Sequence, residues 1–258
     1  MATKAPPDLE ALAALILSCR RTLVLGGLRM GAPAGSESPA LREGAPDWAE
    51  RASLEAFLTE PGHFWAYYYP IAQSIAAREP GPGHRAIARL QEAGLVWALI
   101  TQAVDRLHQR AGSPEPVEVY GQALIARCDR CGERYGLPEV GVLMEASPDG
   151  APRCTAPGCA YPLRPGGTLW NEPMPEAAVA RAWALAGEAD CFVALDCELR
   201  TAPIALLPAV ALRREVPLVL IGHSPTRYDR YARLVIRGSS EPVLDALTEL
   251  VLPRRPDP

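Results

Sequence analysis

Four cysteines fall in two pairs, Cys128-x2-Cys131 and Cys154-x4-Cys159, with 22 residues between the pairs. Thiolates grouped in this way meet the demand of tetrahedral zinc for four soft ligands. The second pair is wider than the usual two-residue spacing, and Pro157-Gly158 gives its longer loop a way to turn back. No His or carboxylate stands beside the pairs as a ligand of an open, catalytic metal. The expected role of Zn2+ is therefore a structural staple on a segment too small to build its own core. The other cysteines, Cys19, Cys191 and Cys197, lie in apolar runs and read as buried small hydrophobes in a reducing compartment.

Outside the clip, chemistry-bearing side chains are sparse. Asp196, Glu198 and His223 could form an acid/base set, although capping of exposed loops is the expected role of such residues. His108 in "DRLHQRAG" reads as a buried, hydrogen-bonded histidine, and His63 and His84 lie in helical stretches with no Cys or carboxylate partner evident.

These groups need a frame. Short runs at 22–27, 96–102, 116–121, 191–195, 217–222 and 233–238 are mostly apolar on both faces, the pattern of parallel strands covered by helices. Helical patterns alternate with them: "HRAIARLQEAG", which stops at Gly94, "PEAAVARAWALAGEAD", which opens on Pro175, "TAPIALLPAVALRREV", and "EPVLDALTELV". This alternation predicts an α/β fold with a doubly wound parallel sheet. Two segments break it. Residues 33–83 hold an aromatic-rich helical stretch, and 126–166 hold the four paired cysteines. They are expected to form a smaller unit inserted into a discontinuous large domain of 8–32, 84–125 and 167–252. Nearly half the 258 residues are apolar, enough for a proper core, and the net charge of −4 lacks the basic footprint of a nucleic-acid binder. The N-terminal apolar stretch is too short to span a bilayer and lacks signal-peptide flanks, so it reads as an amphipathic helix of a cytoplasmic protein without membrane attachment.

Several stretches resemble the sirtuins in order and spacing: "LITQAVDRLHQRAGS" (99–113), "VEVYGQALIARCDRC" (117–131), "CAYPLRPGGTLWNEPMPE" (159–176), "ADCFVALDCEL", "VPLVLIGHSPT" and "ARLVIRGSSEPVLDALTELV". The similarity runs from about residue 10 to 252. It implies a Rossmann-like large domain, a small zinc-binding and helical domain, and a cleft between them. It also implies the activity of NAD-dependent protein deacylases and ADP-ribosyltransferases. "FWAYYYP" (64–70) would then be either an aromatic wall of the acyl channel or, as expected, core packing of the small domain.

The resemblance also assigns site residues, and here the sequence departs from the family. Gly26 and Gly27 stand where the family's phosphate-cradling glycines begin, but Leu28 and Arg29 follow in place of a small residue and the next glycine. The family's Asp-Phe-Arg has no counterpart in "SESPALREGAPDW". Of the family's Gln-Asn-x-Asp, which holds ribose and nicotinamide, Gln102 and Asp105 remain and Ala103 replaces the Asn. The family's His-Gly base is Tyr120-Gly121, and a phenol with a pKa of about 10 is a poor base at neutral pH. Gly-Thr-Ser becomes Asp196-Cys197-Glu198, Ile-Asn becomes Ile221-Gly222, and the peptide-pairing Phe-Gly-Glu becomes Asn171-Glu172-Pro173, where Pro173 lacks a backbone donor. So many replacements lead to the expectation of a non-deacylating homologue that acts structurally, as a regulator or by binding another ligand, with a protein partner such as an active paralogue. The alternative is an active NAD-dependent deacylase or ADP-ribosyltransferase using Tyr120, Asp105 and Gln102, with His223 as a further candidate, and with transfer asking less of a ribose base than deacylation does.

Overall fold

Residues 7–28, 30 and 48–254 are described by a computed structural model of the chain. The first half runs α1 Pro7–Ser18, β1 Thr22–Gly26, α2 Trp48–Arg51, α3 Leu54–Thr59, α4 Pro61–Ala76, α5 Pro82–Glu92, β2 Ala98–Thr101, α6 Leu107–Arg110, β3 Val117–Glu118 and β4 Gly121–Cys128. The second half runs β5 Arg134–Gly136, α7 Leu137–Ala146, β6 Leu163–Gly167, α8 Glu176–Glu188, β7 Cys191–Leu195, α9 Leu207–Arg213, β8 Leu218–Ile221, β9 Leu234–Ile236 and α10 Ser240–Val251.

The six apolar runs expected as strands pair into one sheet, in the order β3-β2-β1-β7-β8-β9, with every neighbouring pair parallel. Their two-sided apolarity has the cause inferred from sequence. Leu23, Leu25, Phe192, Ala194, Leu218 and Leu220 pack with Ala182 and Leu185 of α8 and Leu207 and Ala211 of α9. The alternate residues Val24, Val193, Val219 and Ile221 pack on the other face with Leu12 and Ile16 of α1, Ile87 and Leu90 of α5 and Leu244 and Leu247 of α10. A period of two along each strand thus serves both layers, and each large side chain so buried contributes about 1.5–3 kcal/mol. An Asp at Val193 would bury a charge in the middle of one layer.

Some elements differ from expectation. The run at 116–121 pairs only over Val117–Glu118. Tyr120 and Gly121 leave the sheet because Gly121 sits at φ +67 and crosses Gly166, where an added Cβ would fall 2.4 Å from the Gly166 carbonyl oxygen. The stretch 201–216 forms a 3-10 turn, Ile204–Leu206, before α9. Pro208 lies in the first turn of α9, where its missing N–H leaves no helical bond unmade.

A second, antiparallel sheet, β5-β4-β6, carries the cysteine pairs. It packs with α3, α4 and α7 around a separate core that includes Phe57, Phe64, Trp65, Tyr68, Val140 and Leu163. Ser53 caps α3 by accepting from Ala56 N at 3.0 Å. Trp65 of α4 donates its indole N–H to the Leu163 carbonyl at 2.7 Å, tying the helical stretch to β6. Among the described residues no helix is long and apolar enough to cross a membrane.

Candidate active site

Cys128 ends β4 and Cys131 follows in a tight turn closed by Gly132 N donating to Cys128 O at 2.8 Å. The 154–159 loop turns back through Gly158, with Cys159 N donating to Ala156 O at 3.0 Å. The four sulfurs lie within 4.8 Å of one another, with Cys128–Cys159 and Cys131–Cys154 at 3.5 Å. Zn–S bonds of about 2.3 Å on a tetrahedron require S···S edges of about 3.8 Å, so the donor set fits zinc. The Tyr135 hydroxyl lies 3.2 Å from Cys154 Sγ and accepts from Thr155 N at 2.8 Å. That hydrogen bond brings the Cys154 thiol down to about 7. Sequence spacing identified the thiols but carried no sign of Tyr135.

Between the two sheets lies a cavity of about 800 Å³. Asp105 and Ala103 reach it from the segment after β2, Tyr120 from the segment after β3, and Tyr68 from α4. Tyr68 therefore both packs in the small core and walls the cavity, so the two readings of "FWAYYYP" meet in one residue. Burial pushes the Tyr120 hydroxyl above its ordinary value, so it stays protonated at neutral pH and offers a hydrogen. Asp105 is buried, and its Oδ1 accepts from Leu107 N at 3.1 Å, which fixes the carboxylate at the start of α6. Tyr120 and Asp105 both line this cavity. Gly26, Gly27 and Gln102 lie at the sheet edge and are not among its described lining residues. Gly26 O accepts from Gln102 N at 3.0 Å. Leu28 lines the cavity, whereas Arg29 and the stretch 31–47 lie outside the described residues.

The far wall of the cavity is a loop held by an ion pair that sequence spacing did not signal. Arg164 donates from two nitrogens to the two Glu172 oxygens at 2.6 Å each, and Leu169 N donates to Glu172 Oε2 at 2.9 Å. Trp170 is already paired through its backbone: its N donates to Ala52 O at 3.1 Å and its O accepts from Leu54 N at 3.0 Å.

Asp196 follows β7 directly in the left-handed region, φ +49. Its Oδ2 accepts from Ser240 Oγ at 2.5 Å and from Ser240 N at 3.4 Å. Burial raises its carboxyl, opposed by the Ser240 bonds and by His223. Glu198 forms an ion pair with Arg200 at 3.6 Å, so of the acid/base set sketched from sequence His223 acts on Asp196 while Glu198 is paired with Arg200. His84 requires a correction: it lies fully buried in α5, facing His108, and the carboxylates of Asp105 and Glu241 act on it.

For NAD these residues make a divided fit. The cavity offers a carboxylate, a phenolic donor and apolar walls to a nicotinamide riboside. At the edge, Gly27 N already donates to Leu195 O at 2.8 Å, the Asp196 backbone crosses close to Gly27, and the Asp196 carboxylate lies beside Gly222 and Ser240.

The sequence profile described as "Sir2 family" matches residues 43–203. An NAD-dependent protein deacetylase 1 of Pyrobaculum aerophilum is 33% identical over 246 residues, covering 94% of each chain. The chain belongs to the Sir2 family. Among solved structures, Sir2Tm bound to a propionylated peptide superposes with a TM-score of 0.83 at 27% identity, over 94% of this chain and 98% of that one. A histidine-to-tyrosine mutant of Sir2, described with a p53 peptide and NAD, superposes with a TM-score of 0.81 at 27% identity, over 95% of this chain and 98% of that one. The sirtuin architecture expected from the quoted stretches is the one found. The relatives' names favour the active alternative over the non-deacylating reading taken from the replaced residues.

Proposed function

We propose that this Sir2-family chain consumes NAD against an acylated lysine of a protein substrate, and that it advances further in ADP-ribosyl transfer than in deacylation. The observation that carries this reading is the convergence of Asp105 and Tyr120 in one largely apolar cavity. NAD, when bound, supplies a nicotinamide leaving group and an electrophilic ribose carbon. The Asp105 carboxylate, fixed by Leu107 N, orients donors on the nicotinamide riboside. The apolar walls exclude water and strengthen every polar contact inside. The Tyr120 hydroxyl donates a hydrogen bond and, being protonated, does not take a proton from a ribose hydroxyl. Loss of nicotinamide would be balanced by a bond from the ribose carbon to a nucleophile of a protein acceptor, which needs no base at a ribose hydroxyl, whereas deacylation does, so the second activity lags. The names of the relatives support NAD-dependent acyl-lysine chemistry. The mutant bound to peptide and NAD supports the view that a tyrosine is tolerated in a Sir2 site.

A second reading is favoured by the Asp196 carboxylate at the sheet edge: a homologue that does not turn over NAD and acts through a protein partner. Incubation with NAD and an acetylated peptide, with nicotinamide and freed lysine both quantified, separates the two. The expected result is nicotinamide release exceeding deacylation by about 10²-fold or more, the usual contribution of a general base. Absence of both products would sink the first reading and leave the second. Equal amounts of the two would restore Tyr120 to the role of base.

A further inference from the structure

The strand order changes direction between β1 and β7: β2 and β3 extend one way from β1, and β8 and β9 the other way from β7. In a doubly wound sheet the crevice at that change, outside the carboxyl ends of the strands, is where ligands bind, and a glycine turn or a helix N-terminus there receives phosphate. Here both receptive backbone groups on the described flanks are engaged within the chain. Gly27 N, after β1, donates to Leu195 O at 2.8 Å. Ser240 N, at the start of the 12-residue α10, points to Asp196 Oδ2 at 3.4 Å, and the Ser240 hydroxyl donates to the same oxygen at 2.5 Å.

Asp196 is wedged tightly. A Cβ on Gly27 would fall 2.1 Å from the Asp196 carbonyl oxygen, and one on Gly222 would fall 3.3 Å from its Cα and 3.5 Å from its Oδ1. The left-handed backbone at Asp196 is one that a side chain other than Asn or Asp adopts only at a cost. The residue at this turn is thus one of the few types whose side chain tolerates that backbone, and it holds a carboxylate at the phosphate-receptive edge. Glu241, next to Ser240, adds a second carboxylate, and the His223 side chain lies near enough to Asp196 to act on it.

We propose that Asp196 is a charge determinant of cofactor selection: its carboxylate stands in for a bound anion at the head of α10 and opposes the pyrophosphate of a dinucleotide. This rests on the reading of the crevice as the NAD site, and it assigns a penalty on dinucleotide binding to one side chain. It predicts discrimination between ligands with and without phosphate. Nicotinamide riboside reaches the cavity without meeting Asp196, whereas NAD and ADP-ribose meet it.

The test is calorimetric titration of the full chain, wild type, Asp196→Asn and Asp196→Gly, with NAD, ADP-ribose and nicotinamide riboside. Asn keeps an acceptor for Ser240 and tolerates the backbone; Gly also suits the left-handed backbone, removes the side chain and serves as the second variant. Thermal melts verify that each protein is folded. Expected is a gain of about tenfold or more for NAD and ADP-ribose in both variants, shrinking as salt is raised, with nicotinamide riboside unchanged. Unchanged affinity for the two phosphate-bearing ligands would overturn the proposal. So would an equal gain for nicotinamide riboside, which would indicate packing and not charge, or an absence of binding by all three proteins. No turnover is measured, so failure of the proposed reaction would not alter this outcome.

Discussion

His84 and His108 face each other inside the protein, their ring centroids 4.7 Å apart. Both ring nitrogens of His108 and Nε2 of His84 are buried without a hydrogen-bond partner among the described residues. Burial first, and the neighbouring His84 second, hold His108 down to about 3. An imidazole neutral in the folded state and protonated in the unfolded state below about 6.5 makes the unfolded chain the stronger proton binder. Stability is then complete above that value and is lost as pH falls toward 3. Going from pH 7 to pH 5 is expected to cost about 2 kcal/mol from His108 alone. Urea melts at the two pH values measure it, and a flat profile would show that these nitrogens are bonded. His108→Gln should flatten the slope.

The zinc module offers a separate handle. Its core is distinct from the two layers on the large sheet, and Tyr135 is the residue that reaches one of the four sulfurs. Tyr135→Phe removes that hydroxyl and the acceptor for Thr155 N while leaving all four thiols in place. Outer hydrogen bonds of this kind are worth about 10–100-fold in metal affinity. Competition with a chromogenic chelator should show zinc released earlier from the variant. Equal retention would mean that the thiols are oriented by β4 and the 154–159 loop alone.

How far the sequence could be read follows from the range of each signal. Periodicity located the strands because two-sided burial forces runs such as Cys191–Leu195 to be apolar throughout. Cysteine spacing located the metal ligands because the knuckle turns are local. The strand order was read from the structure alone, and the assignment of Tyr120 and Asp105 to one site came from the resemblance, since nothing near either residue says that their segments converge. Contacts between distant segments were illegible: Asp196 with Ser240 spans 44 residues and His84 with His108 spans two elements. Arg164 and Glu172 are only 8 apart, yet the loop between them follows no repeating pattern that would bring the two together.

That ion pair yields a further expectation. Arg164 is nearly buried, at 6% side-chain exposure against 15% for Glu172, so removing that carboxylate leaves the cation with Asp129 alone, 3.7 Å away. Breaking a buried pair outright costs about 3–5 kcal/mol, and the remaining partner keeps the cost at the lower end of that range. Glu172→Ala should therefore lower the melting temperature, and Glu172→Gln, whose one carbonyl oxygen can still accept from Leu169 N and one Arg164 nitrogen, should lower it less. Because the loop walls the cavity, acylated-peptide affinity should fall in parallel in a fluorescence-polarisation assay. A loss of stability with unchanged peptide affinity would separate the pair from the ligand site.

Ala103 permits the most direct probe of the cavity. It is buried at 6% exposure, borders the cavity two residues before Asp105, and its N–H is held by Thr101 Oγ1 at 3.0 Å. Ala103→Asn adds an amide in that wall. Without a ligand the amide lacks a built partner, and an unpaired buried polar group costs about 1–3 kcal/mol. With NAD bound, a carboxamide within reach would satisfy it and contribute about 0.5–1.5 kcal/mol, a gain of roughly 2–10-fold in affinity. The expected signature is a variant that melts below wild type when free and is stabilised more than wild type by the same NAD concentration. Equal stabilisation of the two proteins would place the nicotinamide elsewhere and detach Asp105 from the role proposed for it.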